Sequence, residues 1–414
     1  MAQARHALER SRRARHAVKQ PGYSIARALS ITACALLAFG VGGIATAYVK
    51  LQSNIQGGDF EALIAERPER TKPDPEDQDK GEPLNLLLIG SDDRSGENAG
   101  IGGNFEGMRS DTTILMHISA ERDRVELVSL PRDLMVDIPA CRMTNGKETV
   151  ATYDQFNSAF AFGAVVGGDV ESAAACAIAT TERLTNVYID GYFVVDFKGF
   201  ITMVDAIGGV DVCIPNDIYA PKANNLRLEA GMQHLDGEVA LDYARARVGK
   251  GLGDGSDLGR IQRQQQLLAT TVNKVLSKNL LTQQVELYRF LDAATKSLAA
   301  DEKFASIPTL AGLAYSLRNI DSGNITFMTP KVVAYPQDPN RVIFTEEAQE
   351  VWRKIAADEP LKTPKKKPTA TDSPSSDPTS TADETPDASD EPTTPPNDDD
   401  ADVLTPDDVV DLCS

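Results

Sequence analysis

Between Arg27 and Lys50 the chain reads "ALSITACALLAFGVGGIATAYV", 22 residues without a charge. As a helix at about 1.5 Å per residue, this run is long enough to span a hydrocarbon core of about 30 Å. No other feature constrains the chain as strongly, because a spanning segment this early commits most of the remaining chain to one side of a bilayer. The basic stretch "RSRRAR" before it predicts a cytoplasmic N-terminus and an extracytoplasmic remainder. A cleaved leader fits less well, since the run is long and "ATAYVKL" is a poor cleavage site. The expected organisation is a basic cytoplasmic arm over 1–27, a transmembrane helix over 28–49, an extracytoplasmic linker over 50–82, a folded domain over 83–357, and a disordered acidic tail over 358–414.

Charge is spread unevenly over this plan. Met1 to Arg27 hold seven basic side chains and one acidic one, while Pro368 to Ser414 hold fourteen acidic side chains and no Lys or Arg. With a formal net charge of -19, the remaining Ala28–Lys367 carries -19 + 14 - 6 = -11. A phosphate-backbone binder needs a basic face, so nucleic acid is excluded as a partner. The tail is rich in Pro, Thr, Ser and Asp and has too little apolar surface to order itself. Export makes disulfides plausible for Cys141, Cys176, Cys213 and Cys413. Cys141 with Cys176 is the preferred pair, because neither has another evident role, and the connectivity stays open at this level.

Elements follow from periodicity. "PLNLLLIGSDDRS" is a continuous apolar run that suits a strand buried on both faces. "RSDTTILMHIS", "RVELVSLPRDLMVDI" and "VYIDGYFVVDF" read as further strands. "DVESAAACAIATTERLTN" reads as a helix capped by Asp169, and "FKGFITMVDAIGG" as a helix with a glycine stop. A long helix runs from Ser256 toward Lys278. This interleaving predicts an α/β fold: a three-layer sandwich with a mixed central β-sheet flanked by helices, preceded by one transmembrane helix.

Chemistry concentrates in three places. "IGSDDR" and "MRSDTT" put Asp92 and Asp111 at strand ends, where two carboxylates can share a magnesium ion or can serve only as turn and loop caps. "SLPRDL" puts Arg132 at a sheet edge, placed either to clamp phosphate oxygens or to pair with Asp133. The window "ARARVGKGLGDGSDLGRIQRQQ" gathers Arg245, Arg247, Lys250, Arg260 and Arg263 around five glycines in an acidic protein. Arg245 and Arg247 are two apart and point the same way if extended. Arg260, Arg263 and Gln264 share one helix face. A pyrophosphate would explain the cations, and a metal the carboxylates. The four histidines support no Ser-His-Asp arrangement, so metal-assisted phosphoryl chemistry fits better.

These segments, with "FNSAFAFGA", resemble the LytR-CpsA-Psr family of cell-wall glycopolymer ligases, actinobacterial type, with the motifs in family order from about Leu84 to Leu268. The resemblance implies a transferase that moves a glycopolymer from an undecaprenyl-pyrophosphate carrier onto peptidoglycan. The implied acceptor is the 6-hydroxyl of N-acetylmuramic acid, joined through a phosphodiester. It further implies Mg2+ held by Asp92 and Asp111. The pyrophosphate would lie among Arg109, Arg132, Arg245, Arg247, Arg260, Arg263 and Gln264. Asp92, Asp111 and Arg132 are then the expected catalytic residues, and the polyprenyl chain would lie in an apolar groove of the core.

Overall fold

The computed structural model describes residues 21–70, 81–92, 108–253, 255–276, 284–362 and 403–406. The chain forms two compact units, Met1–Lys50 and Leu51–Ser414. Helix α1 (Pro21–Asn54) contains the uncharged run, and Arg27–Asn54 is long and apolar enough to cross a membrane.

The second unit takes in the last turn of α1, then a short strand, β1 (Gln56–Gly58), followed by β2 (Leu84–Ser91), β3 (Ser110–Ile118) and β4 (Val125–Leu130). "RVELVSLPRDLMVDI" is not one strand. Proline has no N–H for the ladder, and the chain leaves the sheet at Pro131 and resumes as β5 (Met135–Ile138), which pairs with β6 (Thr152–Gln155). The break carries Arg132 and Asp133. Next come α2 (Phe156–Gly167), α3 (Val170–Thr185), β7 (Gly191–Val195) and α4 (Phe197–Ala206). Asp169 caps α3, accepting the Ser172 N–H at 2.7 Å. Gly208 and Gly209 follow α4 with φ of 75°, ending it as its sequence predicts.

Two antiparallel pairs follow, β8 (Val210–Ile214) with β11 (Gly231–Leu235) and β9 (Ile218–Ala220) with β10 (Leu226–Leu228). The chain continues through α5 (Gly237–Arg245), α6 (Asp257–Leu276), α7 (Gln284–Ser297), β12 (Leu298–Asp301), α8 (Ile307–Ser316) and β13 (Ile325–Met328). A hairpin of β14 (Val332–Tyr335) and β15 (Asp338–Phe344) leads to α9 (Glu347–Ala356), and β16 (Val403–Leu404) completes the described strands.

Eight of these strands make one mixed sheet in the order β1-β12-β7-β2-β3-β4-β13-β16, with β7 parallel to β2 and β3 antiparallel to both its neighbours. Alternation in "LNLLLIG" divides the core. Leu87 and Ile89 pack with Phe160, Ala177 and Trp352 from α2, α3 and α9 on one face. Leu86 packs with Phe193 and Phe304, and Leu88 lies against the same cluster, on the other. Ile114 and Phe327 meet Ala269 of α6 on that second face. Helices thus cover both faces, which is the expected three-layer α/β sandwich. Cys141 and Cys176 are joined, S–S 2.00 Å, tying the loop after β5 to α3. Cys213 is also disulfide-bonded; Cys413 lies outside the described residues.

Two expected boundaries need correction. The segment 50–82 was expected to be a spacer, but Phe60 is fully buried and stacks edge-on to Tyr192 at 5.8 Å. Arg67 forks onto the Glu182 carboxylate, Nη2 to Oε1 2.6 Å, and donates to Tyr188. The tail expected to be disordered from 358 begins inside the fold. The Asp358 carboxylate accepts from the Ala120 N–H at 3.1 Å and pairs with Arg124, and Leu361 donates its N–H to Glu126 at 2.7 Å. Val403 and Leu404 add a strand to β13. The stretch 363–402 lies outside the described residues.

Candidate functional site

The ends of β2, β3 and β4 and the start of α6 meet at one end of the sheet. In the β2–β3 register Gly90 faces Thr112 and Ser91 faces Ser110, so Asp111 is an extra residue in a bulge. A bulge re-aims a side chain and marks where pairing stops. One step on, Asp92 and Arg109 bond reciprocally. The Asp92 N–H donates to the Arg109 carbonyl at 2.9 Å, and the Arg109 N–H donates to Asp92 Oδ1 at 2.5 Å. Asp92 is buried, whereas the Arg109 residue is exposed.

Arg132 leaves the sheet after Pro131 and donates from Nη1 to Asp111 Oδ1 at 2.7 Å. Its Nε lies 3.3 Å from Asp133, and its N–H donates to Asp257 at 3.2 Å. Both readings of Arg132 therefore meet here: it faces the strand-end carboxylate and also contacts its own neighbour. Asp257 opens α6 and holds Arg260 one turn later, Nη2 to Oδ1 2.6 Å. Arg260 is 3% exposed and also donates to the Asp111 carbonyl at 2.9 Å. Arg247 comes in from the loop before α6, 3.0 Å from Asp133 and 3.7 Å from Asp257. Arg341, on β15, lies 3.5 Å from Asp133.

Four guanidiniums (Arg132, Arg247, Arg260, Arg341) thus surround three carboxylates (Asp111, Asp133, Asp257), with Asp338 3.7 Å from Arg341 at the rim. Burial works against the charge on Arg132, but Asp111 and Asp133 outweigh it and hold the guanidinium above its ordinary pKa. Burial prevails at Arg260, whose pKa is lowered despite Asp257, and it raises the Asp133 carboxyl despite Arg132. The Nε–H groups of Arg132, Arg247 and Arg260 are buried without a hydrogen-bond partner. Convergent, partly unsatisfied guanidinium donors suit an anion with several oxygens.

The other expected residues go elsewhere. Arg245 is the last residue of α5, so it is not in extended register with Arg247, and its guanidinium stacks 4.2 Å over the Phe197 ring. Arg263 is buried and donates to the carbonyls of Ala246 and Leu252, bracing the loop that carries Arg247. Gln264 donates to the Ala244 carbonyl at 3.3 Å. Lys250 pairs through its backbone with Tyr219 in both directions. That pairing explains the nearby glycines, since a Cβ on Gly249 would sit 2.3 Å from the Tyr219 carbonyl oxygen and Gly251 has φ of 77°.

Sequence reasoning missed Asp133, Asp257 and Arg341 as members of the cluster. Asp257 carried a signal, standing three residues before Arg260 at a helix start; Asp133 was seen only as a neighbour of Arg132. Arg341 carried none.

The LytR_cpsA_psr family model matches residues 47–357. The chain is 31% identical over 266 residues to the cell wall biosynthesis protein LcpA of Corynebacterium glutamicum, covering 60% of this chain and 50% of that one. It is 32% identical over 247 residues to the polyisoprenyl-teichoic acid–peptidoglycan teichoic acid transferase TagU of Oceanobacillus iheyensis, covering 59% and 66%. The chain therefore spans about half to two thirds of the length of these curated relatives. Among solved structures, protein gbs0355 from Streptococcus agalactiae shares the fold with a TM-score of 0.51 at 21% identity, covering 68% of this chain and 90% of that one. The matched residues 47–357 make up more than half of the sequence, and the chain belongs to the LytR_cpsA_psr family.

Proposed function

We propose that the protein is a membrane-anchored phosphotransferase that moves a glycopolymer from an undecaprenyl-pyrophosphate carrier onto peptidoglycan. The observation that carries this reading is the convergence of Arg132, Arg247 and Arg260, from three separate segments, around Asp111, Asp133 and Asp257. The names of the relatives point the same way, to cell wall biosynthesis and to teichoic acid transfer onto peptidoglycan. In the proposed reaction the acceptor hydroxyl oxygen, on N-acetylmuramic acid, bonds to the glycan-side phosphorus. The bond from that phosphorus to the bridging oxygen breaks, and its electron pair leaves on undecaprenyl phosphate. The hydroxyl proton passes to a carboxylate, for which one of Asp92 and Asp111 is proposed. Arg132, Arg247 and Arg260 bind the pyrophosphate and offset the charge that builds on the leaving phosphate.

Asp92 and Asp111 suit magnesium by donor type. Among the described residues no group of three or more His, Cys, Asp or Glu is placed to cage a metal. Magnesium is commonly held by one or two carboxylates with substrate phosphates and waters completing its shell. When bound it would neutralise phosphate charge. The Arg27–Asn54 helix supports a single-pass anchor, and the basic arm supports a cytoplasmic N-terminus.

The test is release of polyprenyl phosphate from a short glycan-pyrophosphate lipid by the full chain in detergent, with magnesium and a peptidoglycan oligomer. Magnesium-dependent release with the glycan appearing on the oligomer is the expected result. Release without transfer would make the protein a hydrolase instead, and binding without turnover would make it a sensor of lipid-linked precursors.

A further inference from the structure

Two strands tied to the arginine cluster carry a pair of aromatic rings that the pyrophosphate chemistry does not use. Tyr153 on β6 and Tyr335 on β14 meet with ring centroids 6.1 Å apart at 54°. Tyr153 is 47% exposed, so a ring face is open to solvent.

Both rings are tied by short backbone links to the residues of the anion site. On the Tyr153 side, the Phe156 N–H donates to the Leu134 carbonyl at 2.7 Å and the Asn157 N–H to the Arg132 carbonyl at 3.2 Å. Three residues of extended chain, about 10 Å, separate Tyr153 from that anchor. On the Tyr335 side, the Val342 N–H donates to the Asp133 carbonyl at 3.2 Å. Tyr335 faces Asp338 across the hairpin, whose carboxylate lies 3.7 Å from Arg341, and Arg341 reaches Asp133. The β14–β15 hairpin is therefore clipped to Asp133 by a backbone bond and an ion pair, and it brings Tyr335 to Tyr153.

We propose that Tyr153 and Tyr335 form a saccharide-binding platform that seats the glycan strand of the acceptor next to the arginine site. A pyranose ring has apolar C–H faces and a rim of hydroxyls, which a pair of aromatic faces with polar edges can match. The acceptor is assigned because a wall polysaccharide strand must lie along an open face, and Tyr153 is 47% exposed where the Arg132 and Arg247 side chains are 22% and 31% exposed. This inference rests on the transferase reading for its setting, and its test is separable from that reading.

The full chain, wild type and with Tyr153→Ala or Tyr335→Ala, is titrated with a peptide-free tetrasaccharide of alternating N-acetylglucosamine and N-acetylmuramic acid. The same proteins are then assayed for transfer. Each alanine variant is expected to weaken tetrasaccharide binding and raise the acceptor KM about tenfold, with unchanged thermal melting and unchanged affinity for a sugar-free polyprenyl pyrophosphate. Tyr153→Phe keeps the ring and should stay within about twofold of wild type. Unchanged tetrasaccharide affinity in both alanine variants overturns the platform, as does a rise confined to the donor KM. If the wild type transfers nothing, the transferase reading fails, and the titration alone still decides the platform.

Discussion

Arg132 and Asp111 are joined by a 2.7 Å hydrogen bond from Nη1 to Oδ1, which ties the residue after the β4 break to the bulged residue of β3. The contact sets a guanidinium of the arginine cluster directly against one of the two carboxylates proposed to hold magnesium. Neither strand places its residue there alone. Pro131 takes the chain out of the sheet, and the bulge puts Asp111 outside the regular pairing.

That coupling makes the two residues separable by experiment. Arg132→Ala should lower kcat by about 10²- to 10³-fold, the usual loss when one donor to a developing charge is removed. Asp111→Asn should abolish activity together with its magnesium response. An Asp111→Asn enzyme with wild-type turnover and metal dependence would reduce Asp111 to a counter-ion for Arg132.

Arg247 has Nη2 3.0 Å from Asp133 and an unsatisfied Nε–H. Arg247→Ala should weaken equilibrium binding of a polyprenyl pyrophosphate by about 1.5–3 kcal/mol, one charge-assisted bond. Lysine should not restore it, because a point charge cannot reproduce the planar fork. Full affinity in Arg247→Ala would mean that the residue serves Asp133 and not the ligand.

A different outcome is expected for Arg263, which faces carbonyls and not carboxylates. Its guanidinium braces Ala246 and Leu252, at the two ends of the loop that carries Arg247. Arg263→Ala should cost about 2–3 kcal/mol of stability, measured by denaturant unfolding, through loss of hydrogen bonds from a buried charged group. Its effect on ligand affinity should come from the loosened loop. A variant with unchanged stability and lost binding would place Arg263 on the ligand instead.

Burial raises the Asp301 carboxyl to about 6, against the pull of Lys303. The residue is 1% exposed and its Oδ2 has no hydrogen-bond partner. A carboxyl with a raised folded pKa binds its proton more tightly in the folded state. The resulting penalty is absent below the unfolded pKa of about 3.9, grows as pH rises through 6, and is full above it. Asp301→Asn should therefore stabilise the protein at pH 8 by on the order of 1–3 kcal/mol and have little effect at pH 4. Equal effects at both pH values in parallel unfolding curves would contradict the assignment.

The sequence alone determined most of the elements and four of the seven residues that meet in the arginine cluster. The apolar run announced a helix long and apolar enough to cross a membrane, the two-faced strands and capped helices announced a layered α/β fold, and Asp111, Arg132 and Arg260 were legible as candidates from strand ends and helix spacing. These are local properties, set by periodicity, capping and chain reach. Partnership is not local. Arg245 and Arg247 looked equivalent two residues apart, but α5 ends between them, so one stacks on Phe197 and the other joins Asp133. A spacer-like segment was drawn in because Phe60 found an apolar cavity and Arg67 a buried carboxylate. Arg341 entered the cluster from a hairpin more than two hundred residues beyond Asp133. Only the tertiary structure could decide these points, because the burial of a charge is tolerable only where the folded chain supplies a counter-charge or hydrogen-bond partners.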